Sequence, residues 1–354
     1  MKFFLSAVVG LFISVLGLEA ILQVLPVNSG IRMEDTTADA SYARYLPRQR
    51  YLYSYGWGMN NTHHGVTNNE GFSHSNDFSD EANVLVIGDS FIESFMVEYS
   101  DTVQGQLDAT LGKVYAASAS GNGLADTLQL ARKFVPAIHP KTAVIFVDSG
   151  NVNKITLPYG RGHNYFSFSG NNVKVEHNPY VQSRMKMRVL KSALLRYLYY
   201  NLKFTDWFST TFAQQTQILT NVGVQDEQRA QREQALEYFM RELVQLQRQY
   251  GTRFVFLVDG DRKEIYTPGK AVPEWTDSGR LVLLKHIRES DFRVVDMQPY
   301  FQDHWDHYRE RMDSLPMDGH WNSVGHRLAA EALLSEQFPA RVTMLAPATA
   351  RPNL

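Results

Sequence analysis

Val84-Leu85-Val86-Ile87-Gly88-Asp89-Ser90-Phe91 is the stretch that decides the fold. Four apolar residues without polar alternation, stopped by a glycine, form the pattern of a short strand buried on both faces, as in a parallel sheet. A helix is predicted next, with Asp101 as N-cap and Val103, Leu107 and Leu111 four apart on one face. Val114 to Ala117 reads as the second strand. Leu124, Leu128, Ala131 and Val135 stripe a second helix, and Ala143-Val144-Ile145-Phe146-Val147 is the third strand. This alternation implies right-handed crossovers and a doubly wound sheet. It resumes with a long helix near 225–249, a strand at Arg253 to Val258, a helix near 277–289 and a strand at Arg293 to Asp296. A last helix starts at Asn322-Ser323. The expectation is a three-layer α/β/α sandwich on a five-stranded, mostly parallel sheet.

Around that rhythm the chain changes character. Residues 28–80 are rich in Asn, Ser, Tyr, Gly and His and read as an irregular lead-in to a domain at 81–340. Residues 155–222 read as an insertion, aromatic and basic at first and helical from about Tyr180 to Lys203. The segment 341–354 reads as a flexible tail. At the other end, residues 1–27 supply the roughly 20 mostly apolar residues that a transmembrane helix needs, provided that Glu19 sits near the outer interface. No Ala-x-Ala cleavage box is evident, so an uncleaved signal anchor is expected; a cleaved signal and a buried soluble helix are the alternatives. Lys2 and the terminal amine, against Arg32 diluted by Glu34 and Asp35, favour a domain outside the cytoplasm. A formal charge of −2 over 354 residues leaves no footprint of a nucleic-acid binder, and the lack of cysteine removes disulfides and thiol chemistry.

The chemistry-bearing residues lie at strand ends. Ser90 follows the first parallel strand, at the rim where α/β ligands bind. A hydroxyl there needs a base, and the base needs an orienting partner. Asp318-Gly319-His320-Trp321-Asn322 offers both in one loop before the last helix. His326, one turn further on, is an alternative base. Acyl chemistry also needs donors aimed at the developing oxyanion. Ser118-Ala119-Ser120-Gly121-Asn122-Gly123 follows the second strand and Asp148-Ser149-Gly150-Asn151 the third, so both share the rim with Ser90.

Gly88-Asp89-Ser90, Gly121, Asn151 and the Asp318/His320 pair resemble, in order, the four blocks of the SGNH (GDSL-like) hydrolase superfamily. The resemblance spans about 84–154 and 253–338. It implies Ser90 as nucleophile, His320 as general base and acid, and Asp318 as its orienter. It also implies an oxyanion hole from the Ser90 and Gly121 backbone N–H groups and the Asn151 side chain, with no cofactor or metal. Two features depart from the usual pattern. Asp318 and His320 are separated by one residue rather than two, a form that resembles enzymes O-acetylating bacterial surface polysaccharides. Val152 stands where an Asp commonly follows the third-block Asn. The expected function is an esterase at the cell envelope, anchored in the membrane on its periplasmic or extracellular face. Its substrate would be an acylated small molecule or glycan, and other polysaccharide-assembly proteins are candidate partners. An O-acetyltransferase using the same site and a non-catalytic glycan-binding component of an export complex are the alternatives.

Other polar clusters have plainer readings. His304 and His307, with Asp303 and Asp306, have a metal-gripping helical spacing but no evident third ligand. His63, His64 and His74 read as surface groups in the lead-in. Asp259-Gly260-Asp261 reads as a turn and helix cap. Arg184, Lys186, Arg188, Lys191, Arg196 and Lys203 interleave with leucines and tyrosines, as on a membrane-surface or glycan-binding helix or on a solvated face.

Overall fold

A computed structural model describes residues 2–339 apart from 38, 159, 171, 205–221, 270–274, 276–278 and 315–317. The expected tail at 341–354 and the part of the insertion at 205–221 lie outside the described residues. Among the described residues the strands are β1 (Arg50–Tyr55), β2 (Asn60–Val66), β3 (Val84–Gly88), β4 (Val114–Ser118), β5 (Thr142–Val147), β6 (Asn164–Ser169), β7 (Asn172–His177), β8 (Arg253–Val258) and β9 (Arg293–Asp296). Five form the central sheet in the order β4-β3-β5-β8-β9. Every pairing in it is parallel, so the sheet is wholly rather than mostly parallel.

Alternation along each strand divides the core in two. Leu85, Ile87, Ala143, Ile145, Phe254 and Phe256 face one side, under the helices Leu124–Ile138, Val222–Tyr250 and Gly279–Glu289. Val84, Val86, Val144, Phe146, Val255 and Leu257 face the other, under Val103–Leu111, Met297–Tyr308 and Ser323–Gln337. Covering both faces is why these strands carry no polar alternation. The strand order reverses direction between β3 and β5, which opens the crevice at their carboxyl ends. Ser90 stands at the end of the first and Asn151 just past the second.

Several local expectations are corrected. Within the largely irregular lead-in, β1 and β2 pair antiparallel as a hairpin that the sequence reading did not expect. Farther along, Phe72 is fully buried and stacks among Tyr42, Phe78 and Phe134, tying the lead-in to the helix Leu124–Ile138. Burial of such a ring contributes about 1.5–3 kcal/mol. The insertion begins with a second hairpin, β6–β7, and then breaks into the helices Arg184–Val189 and Ala193–Arg196 and a π-helical turn at Tyr197–Asn201. Ser183 and Ser192 cap the two helices, and these local side-chain bonds stop a single helix from running through. The N-cap expected at Asp101 is Thr102, whose hydroxyl accepts from the Gly105 N–H at 3.1 Å. Asp101 ends a 3₁₀ turn instead.

The N-terminal helix, Lys2–Val24, is apolar and long enough over Phe3–Val24 to cross a membrane, and nearly all of it is exposed. Its far end is not free. Glu19 accepts from the Ser192 hydroxyl and from the Ala193 and Leu194 N–H groups, each at 2.8 Å, and so caps the short helix there. Leu22 and Val27 bury against Ala193 beside this cap.

Candidate active site

Ser90 opens the short helix Ser90–Glu93 directly after β3 and is half-buried. Asp89 precedes it as N-cap, accepting from the Phe91 N–H at 2.9 Å. His320 reaches across 230 residues of sequence to place Nε2 2.7 Å from the Ser90 Oγ. Its Nδ1–H donates to Asp318 Oδ1, and its backbone N–H donates to the same oxygen at 3.0 Å. One carboxylate oxygen therefore takes both groups of the residue two positions on. This turn works with a single residue, Gly319, between the partners, which accounts for the short spacing seen in the sequence.

The loop is held from behind. Arg262 is buried, donates to the Gly319 carbonyl at 2.6 Å, and pairs with Asp313 and, at 3.1 Å, with Asp259. Asp259 accepts from the Trp321 indole N–H at 3.0 Å, and Trp321 packs against Phe91, Phe146 and Phe301. The turn-and-cap reading of Asp259–Asp261 holds for Asp261, which caps the helix Arg262–Tyr266, whereas Asp259 belongs to this support.

Charge follows geometry. Burial raises the Asp318 carboxyl, but the His320 bonds and charge, with Lys203, overcome it and hold Asp318 below its ordinary value. Burial lowers the His320 ring, but the bond to Asp318 and the charges of Asp318 and Asp89 more than offset it, leaving the ring above its ordinary value. Asp89 is pushed upward by burial and by the charge of neighbouring Asp148.

The turns after β3, β4 and β5 are cross-linked. Asn151 Nδ2 donates to Asp89 at 3.2 Å and to the Asn122 carbonyl at 3.1 Å, and Asn122 Nδ2 donates to the Gly88 carbonyl at 3.0 Å. Both hydrogens of the Asn151 amide are thus engaged in the resting site. Gly121 adopts φ +89°, and a Cβ there would lie 3.1 Å from the His163 Nε2, so a bare glycine suits the turn on both counts.

Two groups escaped the sequence reading. Glu93 is buried one turn after Ser90, accepts from the Tyr45 and Ser120 hydroxyls, and is pushed up to about 7 by burial, those bonds opposing. Tyr45, Tyr51, Tyr53 and Tyr200 then join Ser90, Asp318 and His320 around a cavity of about 300 Å³. No strand periodicity announces either, because lead-in and insertion meet only in three dimensions. A more polar groove of about 500 Å³ adjoins it through Tyr53, Tyr55 and Asp318, edged by Asn61, His63 and Glu98.

The remaining histidines sort clearly. His326 is fully buried, its Nε2 2.7 Å from the Ser94 hydroxyl and its Nδ1 accepting from the Val103 N–H, so it does not meet Ser90. His74 is buried rather than a surface group, with its Nδ1–H donating to the Glu93 carbonyl at 2.7 Å. His64 is exposed, and His63 bonds Glu98 and Asn61 at the groove edge. His304 is buried and faces Glu310, whereas His307 is exposed and bonds the Asp303 carbonyl, so the two do not converge.

The sequence matches no family model and no curated protein. Among solved structures the chain is similar to LAE5, an alpha/beta hydrolase enzyme from the metagenome of Lake Arreo, Spain, at 14% identity over 73% of this chain and 95% of that one, TM-score 0.41. It is similar to TesA at 14% identity over 72% and 98% of the two chains, TM-score 0.40. The acetyl xylan esterase AlAXEase gives 13% identity over 71% and 98%, TM-score 0.40. Likenesses at this level bear on neither the reaction nor the substrate.

Proposed function

We propose that the chain is a serine-dependent acyl-ester hydrolase of the SGNH type, working at the cell envelope through an acyl-enzyme on Ser90. The observation that carries this reading is the relay itself: His320 Nε2 2.7 Å from the Ser90 Oγ, with Nδ1 held by Asp318, at the crevice where the sheet changes winding direction. In the proposed reaction Ser90 Oγ attacks the ester carbonyl as its proton passes to His320 Nε2. The negative charge on the carbonyl oxygen meets the Ser90 and Gly121 N–H groups and the Asn151 amide, which releases Asp89 or Asn122 to do so. The C–O bond to the alcohol breaks as His320 returns the proton to it. Water, deprotonated by His320, then attacks the acyl carbon and frees Ser90.

The apolar N-terminal helix supports tethering in the membrane, and its flanking charges support a domain on the outer face. A second reading, transfer of the acyl group to a sugar hydroxyl, is favoured by the polar groove that adjoins the cavity at Asp318, where an acceptor would lie next to the acyl-enzyme. Labelling with a fluorophosphonate tests the nucleophile. Wild type is expected to label and Ser90→Ala not; an intact wild type that never labels defeats the proposal. Product analysis with an acetyl donor, with and without a sugar acceptor, separates hydrolysis from transfer.

A further inference from the structure

We propose that the segment Val181 to Phe204, with Trp57, is a membrane seat that lies on an anionic lipid surface and fixes the domain against the bilayer. The proposal rests on the membrane reading of the N-terminal helix and adds a second, peripheral contact to it.

Composition is the first observation. Between 181 and 204 the chain carries Arg184, Lys186, Arg188, Lys191, Arg196 and Lys203 and no Asp or Glu, in a protein whose formal charge is −2. The same stretch leaves apolar groups in solvent: Val181, Met185, Leu195, Tyr199, Leu202 and Phe204 are all exposed. Basic and apolar groups exposed together suit the boundary between headgroups and acyl chains. Trp57, at the tip of the β1–β2 hairpin, is 82% exposed, and the Tyr197 hydroxyl holds its carbonyl at 2.8 Å. An exposed indole of this kind is what membrane interfaces collect.

Position is the second observation and is independent of composition. A hydrocarbon core of roughly 30 Å takes about 20 helical residues at 1.5 Å each, so a span beginning at Phe3 leaves the core near Leu22. Glu19 and Leu22 are the residues that dock onto Ser192, Ala193 and Leu194. The cap therefore sets the basic segment within about a turn or two of the bilayer edge. Beyond it, the Asn28 N–H donates to Asn201 Oδ1 at 3.0 Å, and Asn201 Nδ2 donates to the Ser54 hydroxyl at 2.9 Å, so the joint is a bonded corner rather than a loose linker. Tyr200 and Lys203 of the same segment line the Ser90 cavity, which links the seat to the site.

The chain has no cysteine, so single introduced thiols report unique positions. The full chain carrying an environment-sensitive dye at Met185→Cys, Tyr199→Cys, Leu11→Cys or Tyr308→Cys is reconstituted in phosphatidylcholine vesicles with and without phosphatidylglycerol. On phosphatidylglycerol vesicles, dyes at 185 and 199 should show a several-fold drop in quenching by aqueous iodide relative to 308, and strong quenching by a headgroup-level nitroxide lipid. Replacing Arg184, Arg188 and Lys191 together by Gln should return iodide access at both positions while Leu11 stays shielded. Dyes at 185 and 199 as open to iodide as 308, with Leu11 shielded, overturn the seat and leave the anchor intact. A Leu11 dye in water overturns the anchor and the seat together. Shielding at 185 and 199 that appears in detergent without bilayers and grows with protein concentration assigns the face to a second copy and overturns the seat.

Discussion

Asp318→Ala is the sharpest perturbation of the proposed relay. The carboxylate oxygen takes two bonds from His320, the backbone N–H at 3.0 Å and the ring Nδ1–H. Alanine leaves both of these donors without their acceptor. Nothing then holds the ring proton on Nδ1, and Nε2, which lies 2.7 Å from Ser90 Oγ, is free to carry it and donate where it must accept. Loss of the correct tautomer in such a relay costs about 10⁴-fold in kcat, or about 5 kcal/mol of transition-state stabilisation. The pH profile should move as well. Asp318 and Asp89 hold the ring above 6.5 against burial, so the ascending limb of wild-type kcat/KM lies above that pH. With the Asp318 charge gone, burial is less opposed and the residual limb moves to lower pH. Hydrolysis of p-nitrophenyl acetate from pH 5 to 10, with thermal melts to show that folding is intact, measures both. A variant within about tenfold of wild type, or an unmoved limb, refutes the assignment of Asp318.

Arg262→Met should destabilise by about 3–5 kcal/mol, read in urea melts, because buried Asp259 loses its guanidinium partner and Asp313 is left to the more exposed Arg311. The same variant should lose activity beyond its unfolded fraction, since Gly319 loses its tether. Gly121→Ala should lower kcat by about 10²-fold with KM little changed, as the left-handed turn relaxes and its N–H swings away; unchanged kcat would remove Gly121 from the oxyanion hole. His326 sits neutral in the core, lowered to about 3 by burial first and then by His74 and His320. A depressed histidine contributes stability that is complete above about 6.5 and fades as pH falls toward 3. Between pH 6.5 and 4, wild type should therefore lose about 3 kcal/mol more than His326→Gln in denaturant titrations; equal losses would contradict the burial argument.

The parts of this molecule that were legible in sequence share one physical property: they are set by local pattern. β3, β5 and β8 are buried on both faces and so appear as unbroken apolar runs. Ser90, Asn151 and the Asp318–His320 loop sit at strand ends that those runs delimit. β1 and β2 were not legible, because they sit outside the main sheet with tyrosine, asparagine and histidine on mixed faces. The helix expected from 180 to 203 failed at Ser183 and Ser192, where a hydroxyl outcompetes the backbone. Glu93 and Arg262 look like surface charges in sequence. Their partners, Tyr45 and Asp313, lie 48 and 51 residues away, and only tertiary packing brings them within reach.

The cavity wall has a further consequence. Tyr45, Tyr51, Tyr53 and Tyr200 come from segments that add no strand to the five-stranded sheet, while Ser90 stands on it. Chemistry and selectivity are therefore written in separate stretches of the chain and can drift independently. The wall itself cannot be edited piecemeal, because Asn28, Ser54 and Asn201 knot its two halves together. An exchange of substrate range with a homologous scaffold would have to carry the hairpin and the 192–203 segment as one cassette.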